Sequence, residues 1–327
     1  MTVLRMIDRR SALRALAIAT ACAHSFANAQ TRLPRSTGRV VVPFPPGGPS
    51  DVLARILADG WQKSLGVTYV VENKPGATGN IGAAEVAKAA PDGMTLLVSN
   101  TAVVMNPYLF TKTKVVDPFK ELSAVSALGT TAFAITVPAS TPEAALRDWA
   151  ERMKKKSQVG YGSFGVGSAN HLYGHDLSGK LGLPALHVPY KGDAPAMQDL
   201  MGGQIDFAFF SIASARSAGD RVKVLAVTGD ARAAQFPDVP TLKELGIAGF
   251  ELGGWLGLFA PAGTPLETRR LLAKATVDIL ATPEARQKLS TAGLQLFGTT
   301  PEQFEDMMKS EGERQGARIK ASGAALD

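Results

Sequence analysis

The stretch "VVPFPPGGPSD" (residues 41–51) decides the fold, because it leads from a buried strand into a helix through a glycine-rich turn. The apolar run at residues 39–44 predicts a strand. Beyond the turn, apolar residues recur on one helical face as far as residue 65. A glycine-rich turn before a helix can offer backbone amides to an anion. On its own the stretch allows phosphate, a nucleotide or a carboxylate.

Strands and helices continue to alternate along the chain. Strands are predicted at residues 67–72 and 94–100, with a small-residue helix between them. Short connections between alternating elements indicate parallel strands joined by right-handed crossovers. Two further strand-like runs flank Gly129-Thr130, and a second α/β set follows. The C-terminal part has no third core of its own and is expected to pack on the first set.

The predicted fold class is therefore α/β, with two lobes and a cleft between them. Lobe 1 is assigned to residues 30–130 plus 252–327, and lobe 2 to residues 131–251. The chain crosses between the lobes twice, which predicts a two-stranded hinge. Ligands of open parallel sheets bind beyond the carboxyl ends of the strands. The turns "PFPPGGPSD" and "GSFGVGSAN" both lie at such ends.

Residues 1–29 are predicted to be a secretory signal peptide. Arg5, Arg9 and Arg10 precede an apolar stretch that ends at Ala27-Asn28-Ala29, which is the usual layout of an export signal. The arginine pair leaves the general secretory and twin-arginine routes both open. Cys22 lacks the large aliphatic residue expected three positions before a lipidated cysteine. We therefore expect a periplasmic protein without a lipid anchor.

Composition excludes several classes of function. Without residues 1–29 the chain has 31 basic and 28 acidic residues, a balance of +3 that does not indicate nucleic-acid binding. The chain without residues 1–29 has no cysteine. His171 and His175 are four residues apart but lack the glutamate of a zinc-protease motif. No catalytic triad, carboxylate pair or P-loop lysine is recognisable, so neither an enzyme nor a metal site is expected.

"GYGSFG" (residues 160–165) is the strongest competing motif. It fits the dinucleotide fingerprint G-x-G-x-x-G between a strand and a helix. That fingerprint also requires an acidic residue near the end of the next strand to hold a ribose. The first acid here is Asp193, beyond "ALHVPYKG". The motif therefore does not predict a nucleotide cofactor, and no cofactor is expected.

Threonine followed by proline is predicted to begin four helices. Threonine caps the free amides, and proline fits the first helical position. Thr264 with Glu267 and Thr300 with Gln303 have the spacing of capping boxes. The four pairs begin at Thr141, Thr264, Thr282 and Thr300.

Several long blocks of sequence together resemble one known family. They are "VVPFPPGGPSDVLAR", "VVENKPGATGNIGAAEVAKAAPDGMTLL", "GYGSFGVGSANHL", "VPYKGDAPAMQDLMGGQIDFAF", "PDVPTLKELG" and "GLFAPAGTP". In this order they resemble the Bug (TctC-like) family, the extracytoplasmic solute receptors of tripartite tricarboxylate transporters. The resemblance runs from about residue 38 to the C-terminus. It implies a two-lobed periplasmic binding protein fold, type II-like, that closes on a small carboxylated solute.

The resemblance also implies the site residues. The first turn, which meets a ligand carboxylate through backbone groups and waters in the family, matches at Phe44, Pro45, Gly47, Gly48, Ser50 and Asp51. The second-lobe turn matches at Ser163, Gly165, Gly167, Ser168 and His171. The family varies its pocket at the positions of Asn100, Thr101 and Ser211. Asp206 matches a family position that suits either a structural role or a ligand contact, and residues 211–222 depart from the usual pattern.

These inferences lead to one expected function with two alternatives. We expect a monomeric receptor that captures an organic acid or carboxylated amino acid and delivers it to a membrane permease. A sensory receptor that presents its closed form to a membrane signalling partner also begins with ligand capture, so the sequence leaves it open. The second alternative is an enzyme on a similar α/β scaffold, against which the missing catalytic set argues. The sequence does not identify the carboxylate.

Overall fold

The computed structural model describes residues 33–190, 192–250, 253–290 and 294–326. The predicted signal peptide, residues 1–29, lies outside the described residues. The strands, in chain order, are β1 (Thr37–Val42), β2 (Thr68–Asn73), β3 (Thr95–Asn100), β4 (Leu122–Thr131), β5 (Phe133–Pro138), β6 (Val159–Ser163), β7 (Ala185–Pro189), β8 (Phe207–Ser211), β9 (Val222–Val227), β10 (Gly254–Pro261) and β11 (Leu294–Leu296).

The helices follow most of the strands directly. They are α1 (Pro49–Leu65), α2 (Asn80–Ala87), α3 (Ala102–Leu109), α4 (Pro118–Glu121), α5 (Leu146–Met153), α6 (Ala169–Leu181), α7 (Asp193–Met201), α8 (Ile212–Ala218), α9 (Leu266–Leu280), α10 (Pro283–Ser290) and α11 (Pro301–Ser322). Among the described residues, no helix is both long enough and apolar enough to span a bilayer.

Two separate sheets form the framework of the molecule. The first has the strand order β11-β4-β10-β3-β1-β2, and the second has the order β7-β6-β8-β5-β9. Strands β1, β2 and β3 are parallel, as the sequence predicts, whereas β10 runs antiparallel between β3 and β4. We call the first sheet with its helices lobe 1 and the second sheet with its helices lobe 2. The predicted α/β fold with two lobes is confirmed.

Each sheet is covered by helices on both faces. In lobe 1, α1 and α9 cover one face with residues such as Leu57, Trp61 and Leu272. Helices α3 and α11 cover the other face with residues such as Val104 and Phe304. The C-terminal part of the chain therefore returns to lobe 1, as the sequence predicts. There β10 lies between β3 and β4 and is buried on both faces.

The chain crosses between the two sheets at two places. Strand β4 of the first sheet passes into β5 of the second over the single residue Ala132. The return crossing runs from β9 to β10 and meets the first crossing at Gly253. A Cβ atom on Gly253 would lie 1.6 Å from the carbonyl oxygen of Thr131, so only glycine allows this approach. The crossings are thus tightly packed against each other.

The predicted helix caps are only partly correct. Thr300 and Gln303 form the full capping box at the start of α11, and the Thr282 hydroxyl accepts a hydrogen bond from the amide of Ala285. The prediction is wrong at Thr264, whose hydroxyl donates to the carbonyl of Pro261 and closes a turn before α9 begins. It is also wrong at Thr141, because α5 begins only at Leu146.

Candidate ligand-binding site

The first turn lies between β1 and α1, where the sequence places it. Gly47 has φ +85°, a conformation that side chains other than glycine rarely adopt. Gly48 precedes α1 without contributing a side-chain cap. Within the described residues, the backbone amides of Ser50 and Asp51 have no hydrogen-bond partner. The first turn of α1 is therefore an uncapped helix end with donors available to an anion.

Asp51 holds this turn in place. Asp51 is 4% exposed, and its Oδ2 accepts hydrogen bonds from the Gly47 amide at 3.0 Å and from Arg55 Nε at 3.1 Å. Oδ1 accepts from Arg55 Nη2 and from Asn73 Nδ2, each at 3.0 Å. The Asn73 amide nitrogen also donates to the Phe44 carbonyl. One carboxylate thus joins the turn, α1 and the end of β2.

The charge of Asp51 is compensated within the protein. Hydrogen bonding from Arg55 is the main cause that lowers the pKa of Asp51 to about 2, and the Gly47 amide and Asn73 lower it further. Burial acts in the opposite direction but is the weaker influence overall. The carboxylate therefore stays ionised and paired with Arg55. This pairing explains how an acidic residue fits beside a turn suited to an anion.

The remaining residues of the first turn have different environments. Phe44 is half-buried, Pro45 is exposed, and Ser50 is 5% exposed. The Ser50 hydroxyl makes no hydrogen bond to any described residue, so it is a further available donor beside the uncapped amides. Its neighbour Asp51 by contrast has both oxygens engaged. Ser50 can therefore offer a hydroxyl to a ligand, whereas the carboxylate of Asp51 is already used within the protein.

The second turn lies between β6 and α6 and is more fully bonded. Gly165 has φ +118° and Gly167 has φ +76°. Ser168 caps α6, because its hydroxyl accepts from the amide of His171 at 3.3 Å. The Ser168 hydroxyl also donates to the carbonyl of Gly165 at 2.7 Å. This turn has a fixed shape that depends on its own side chains.

His171 supports the second turn from below. Its Nδ1 accepts a hydrogen bond from the Gly167 amide at 3.1 Å, so the neutral ring carries its proton on Nε2. The ring stacks on His187 with 3.8 Å between ring centroids. Burial, followed by the neighbouring His187 and His175, lowers the pKa of His171 to about 4. At neutral pH the ring is therefore uncharged and accepts from the turn.

Two of the second-lobe residues considered from the sequence make hydrogen bonds within lobe 2. Ser163 is 0% exposed, and its hydroxyl lies 2.6 Å from Nε2 of His187. Asp206 accepts from the amide of Gly160 at 2.9 Å and pairs with Lys156 at 2.5 Å. Gly160 and Asp206 lie near the start of β6 and β8, opposite the ends that carry the turns. Asp206 is therefore a structural residue.

The three predicted pocket residues all cap or connect neighbouring elements. Asn100 Oδ1 accepts from the amide of Ala102 at 2.9 Å, which leaves its Nδ2 without a partner among the described residues. Thr101 is 5% exposed, and its hydroxyl accepts from the Trp255 amide at 2.9 Å. Ser211 caps α8 by accepting from the amide of Ser214 at 3.1 Å.

The sequence analysis missed a strained loop beside the first turn. Four consecutive residues, 76–79, have positive φ, including the non-glycine residues Ala77 (φ +46°) and Thr78 (φ +52°). A Cβ atom on Gly79 would lie 3.3 Å from the Phe44 ring. Asn106 is 3% exposed and donates to the Thr78 carbonyl, while its Oδ1 has no partner among the described residues. Such strain is common at binding sites, so we add this loop to the candidate site.

The second turn, between β6 and α6 of lobe 2, lies directly against lobe 1. A Cβ atom on Gly167 would be 2.6 Å from Cδ2 of Leu109, the last residue of α3. Helix α3 begins just after Asn100 and Thr101, at the carboxyl end of β3. Strand β3 is in turn the neighbour of β1. Gly167 of lobe 2 therefore contacts lobe 1 at the C-terminal end of α3, the helix that Asn100 and Thr101 precede.

Comparison with known proteins defines the class and then the family. The two-lobed framework matches solved periplasmic binding proteins. One of them, a structure of BugD, is 33% identical with a TM-score of 0.72, and the match covers 90% of this chain and 100% of that one. A profile described as "Tripartite tricarboxylate transporter family receptor" matches residues 53–324. The chain belongs to this family, as its sequence blocks indicate.

Relatives match over most of their length. A "UPF0065 protein in tcbD-tcbE intergenic region" from Pseudomonas sp. (strain P51) is 34% identical over 94% of this chain and 93% of its own. BugT of Bordetella pertussis is 30% identical, with 88% and 90% covered. The MatC structure from Rhodopseudomonas palustris, with bound malate, has 30% identity, a TM-score of 0.68 and coverage of 88% and 99%. An R. palustris protein with adipate has 28% identity, a TM-score of 0.75 and coverage of 89% and 99%.

Proposed function

We propose that this chain is a periplasmic receptor, exported by residues 1–29, that captures a small carboxylated solute by closing two lobes on it. The observation that carries the proposal is the uncapped start of α1. The amides of Ser50 and Asp51 have no partner among the described residues, and the only acid of the turn is neutralised by Arg55. A carboxylate supplies the acceptors that these donors lack.

A carboxylate fits this turn better than a phosphate or a nucleotide. The turn contains no lysine or arginine of its own. Sites for polyphosphates usually add a cation to the helix-end amides, as the P-loop lysine does. Helix-end amides and a hydroxyl are enough for a single carboxylate, whose charge is smaller. The bound malate and adipate of the two R. palustris relatives support the same class of ligand.

We assign the second half of the ligand-binding site to lobe 2. Gly167, Ser168 and His171 form a rigid turn that contacts α3 of lobe 1 through Leu109. Ligand binding would shift the open–closed equilibrium towards the closed form, because each lobe supplies part of the site. We assign lobe 1 to residues 30–130 plus 252–327 and lobe 2 to 131–251. The receptor acts as a monomer without enzymatic activity and delivers its solute to a permease of the tripartite tricarboxylate type.

A thermal-shift screen tests the proposal. The chain without residues 1–29 is heated with mono-, di- and tricarboxylates, amino acids, aromatic acids and NAD. A carboxylate present at one hundred times its Kd should add about 2.7 kcal/mol of stability, which is visible as a rise in Tm. A rise with NAD and none with any carboxylate would refute the receptor hypothesis.

Gly48→Val tests the role of the first turn. Gly48 has φ −77°, and a Cβ atom there would lie 3.8 Å from its nearest neighbour, the Pro45 carbonyl oxygen. The fold should therefore tolerate the substitution, while the valine side chain would keep ligand or water away from the amides. Gly179→Val, at an exposed position of α6 where an added Cβ atom would meet nothing within 4 Å, is the control. Unchanged affinity in Gly48→Val would remove this turn from the site.

A further inference from the structure

A buried arginine of lobe 1 is inserted into lobe 2. Arg318 of α11 is 8% exposed. Its Nε and Nη2 donate to Oδ2 of Asp176 at 3.2 Å and 3.0 Å, and Nη2 also donates to the Gly249 carbonyl. The guanidinium carbon lies 4.9 Å from the ring centre of Tyr173 and 5.3 Å from that of Phe250. The guanidinium thus has an acid, a carbonyl and two aromatic faces as neighbours.

These partners belong to the lobe opposite to that of Arg318. Helix α11 packs on α3, α9 and β4 of lobe 1. Tyr173 and Phe250 are members of the lobe 2 core, and Asp176 lies one turn beyond Tyr173 on α6. Leu172 of the same helix is 0% exposed and packs into the lobe 1 core. Helices α6 and α11 therefore form a contact between the lobes in addition to the two crossings of the chain.

This connection is incompletely satisfied. Arg318 Nη1 and Gln315 Oε1 are buried without a partner among the described residues. Glu311, at 0% exposure, is held only by Arg314 and Gln315 of its own helix among those residues. Buried polar groups without partners are unfavourable, and hydration on separation of the helices would relieve them. Because this contact combines favourable hydrogen bonds with buried polar atoms that lack partners, it can form and open, unlike a purely apolar core.

We propose that α6 and α11 form an inter-lobe clamp, fastened by Arg318 in its lobe 2 pocket, and that this clamp sets the open–closed equilibrium of the receptor. The proposal rests on the proposed function, because it assumes that capture requires closure. Arg318 is a positioning residue, because its hydrogen bonds and ring contacts among the described residues go to Tyr173, Asp176, Gly249 and Phe250 and not to the residues of the candidate site. The contacts of Arg318 favour the conformation in which Gly167 lies against Leu109. The buried polar atoms without partners reduce the free energy by which this conformation is favoured.

Fluorescence energy transfer tests the clamp without any ligand. The chain without residues 1–29 has no cysteine, so Lys155→Cys with Lys274→Cys gives one dye on each lobe. Arg318→Met keeps the bulk of the side chain but removes its charge. We expect the variant to show a several-fold larger population with separated dyes, and a larger radius of gyration in solution scattering. Arg318→Lys should be intermediate, because an ammonium group pairs with Asp176 but cannot lie flat on the rings.

Asp176→Asn and a matched control make the test decisive. Asp176→Asn preserves the shape of the side chain and should also enlarge the population with separated dyes. If Arg318→Met does not fold, this variant decides whether the clamp exists. Arg270→Met removes an arginine that pairs with Glu302 inside lobe 1 and should leave the distances unchanged. Unaltered transfer efficiencies in folded Arg318→Met or Asp176→Asn, whatever the change in Tm, would overturn the clamp.

Binding measurements separate this inference from the proposed function. Malate and adipate serve as probes in titration calorimetry. If the original chain binds either acid, Arg318→Met should bind it roughly tenfold more weakly, which corresponds to about 1.4 kcal/mol. Binding that is unchanged in the variant overturns the clamp but leaves the receptor intact. A failure of the original chain to bind any carboxylate counts against the proposed function, while the ligand-free distances still decide the clamp.

Discussion

Asp51→Asn is the sharpest test of how the first turn is held. The substitution keeps the shape of a side chain that is 5% exposed but removes the charge paired with Arg55. It also replaces one acceptor oxygen by a donor, which faces either the Gly47 amide or the guanidinium. We expect a less stable protein and a looser turn, and therefore weaker binding of any carboxylate.

The magnitude follows from the pKa of Asp51. Its fall from 3.8 to about 2, caused mainly by the hydrogen bonds of Arg55, corresponds to about 2 kcal/mol in favour of the ionised form. Because the folded-state pKa is depressed, this stability is fully present above pH 3.8 and is lost as the pH falls through about 2. Roughly half of it should remain at pH 3.

Urea unfolding of Asp51→Asn at pH 7 and pH 3 measures both effects. Asp59→Asn is the matched control, because it makes the same change of charge at an exposed position of the same helix. At pH 7 we expect Asp51→Asn to lose about 2 kcal/mol of unfolding free energy relative to the unsubstituted chain, and Asp59→Asn to lose little. Equal losses in the two variants, or a gap that does not narrow at pH 3, would refute the account of the turn.

Three further predictions concern other elements. Because the pKa of His171 is lowered from 6.5 to about 4, the free energy of unfolding should fall by on the order of 3 kcal/mol as the pH falls through that range. In urea unfolding, His171→Gln should make this free energy depend less on pH. Thr300→Ala should remove about 1 kcal/mol with the capping box, measured in the same way. Gly167→Ala should weaken carboxylate binding in calorimetry, and Leu109→Ala should partly restore it if the clash lies between the lobes.

The sequence was sufficient for the order of the elements and for the position of both turns. Apolar runs, helical periodicity and glycine-rich punctuation are local properties, and they predicted β1, α1, β6 and α6 to within a few residues. The same local logic was wrong for Thr264. Its hydroxyl bonds the carbonyl of Pro261, since a threonine before proline can close a turn as well as cap a helix.

Partners that are distant in the chain decided the rest. The sequence could not show that Asn73 donates to Asp51, or that Ser163 lies 2.6 Å from His187, because those contacts require the sheet to be assembled. The strain at residues 76–79 was equally hidden, since "GATG" has the composition of any flexible loop.

The stretch at residues 41–51 shows where this division lies. Its prolines and glycines determined by themselves that a strand ends and a helix begins without a side-chain cap, because φ preferences and missing side chains act locally. Only the tertiary structure decided that Asp51 holds the turn, because its bonds to Asn73 depend on β2 lying beside β1. The approach of Gly167 to Leu109 likewise depends on how two lobes pack, which no local pattern encodes.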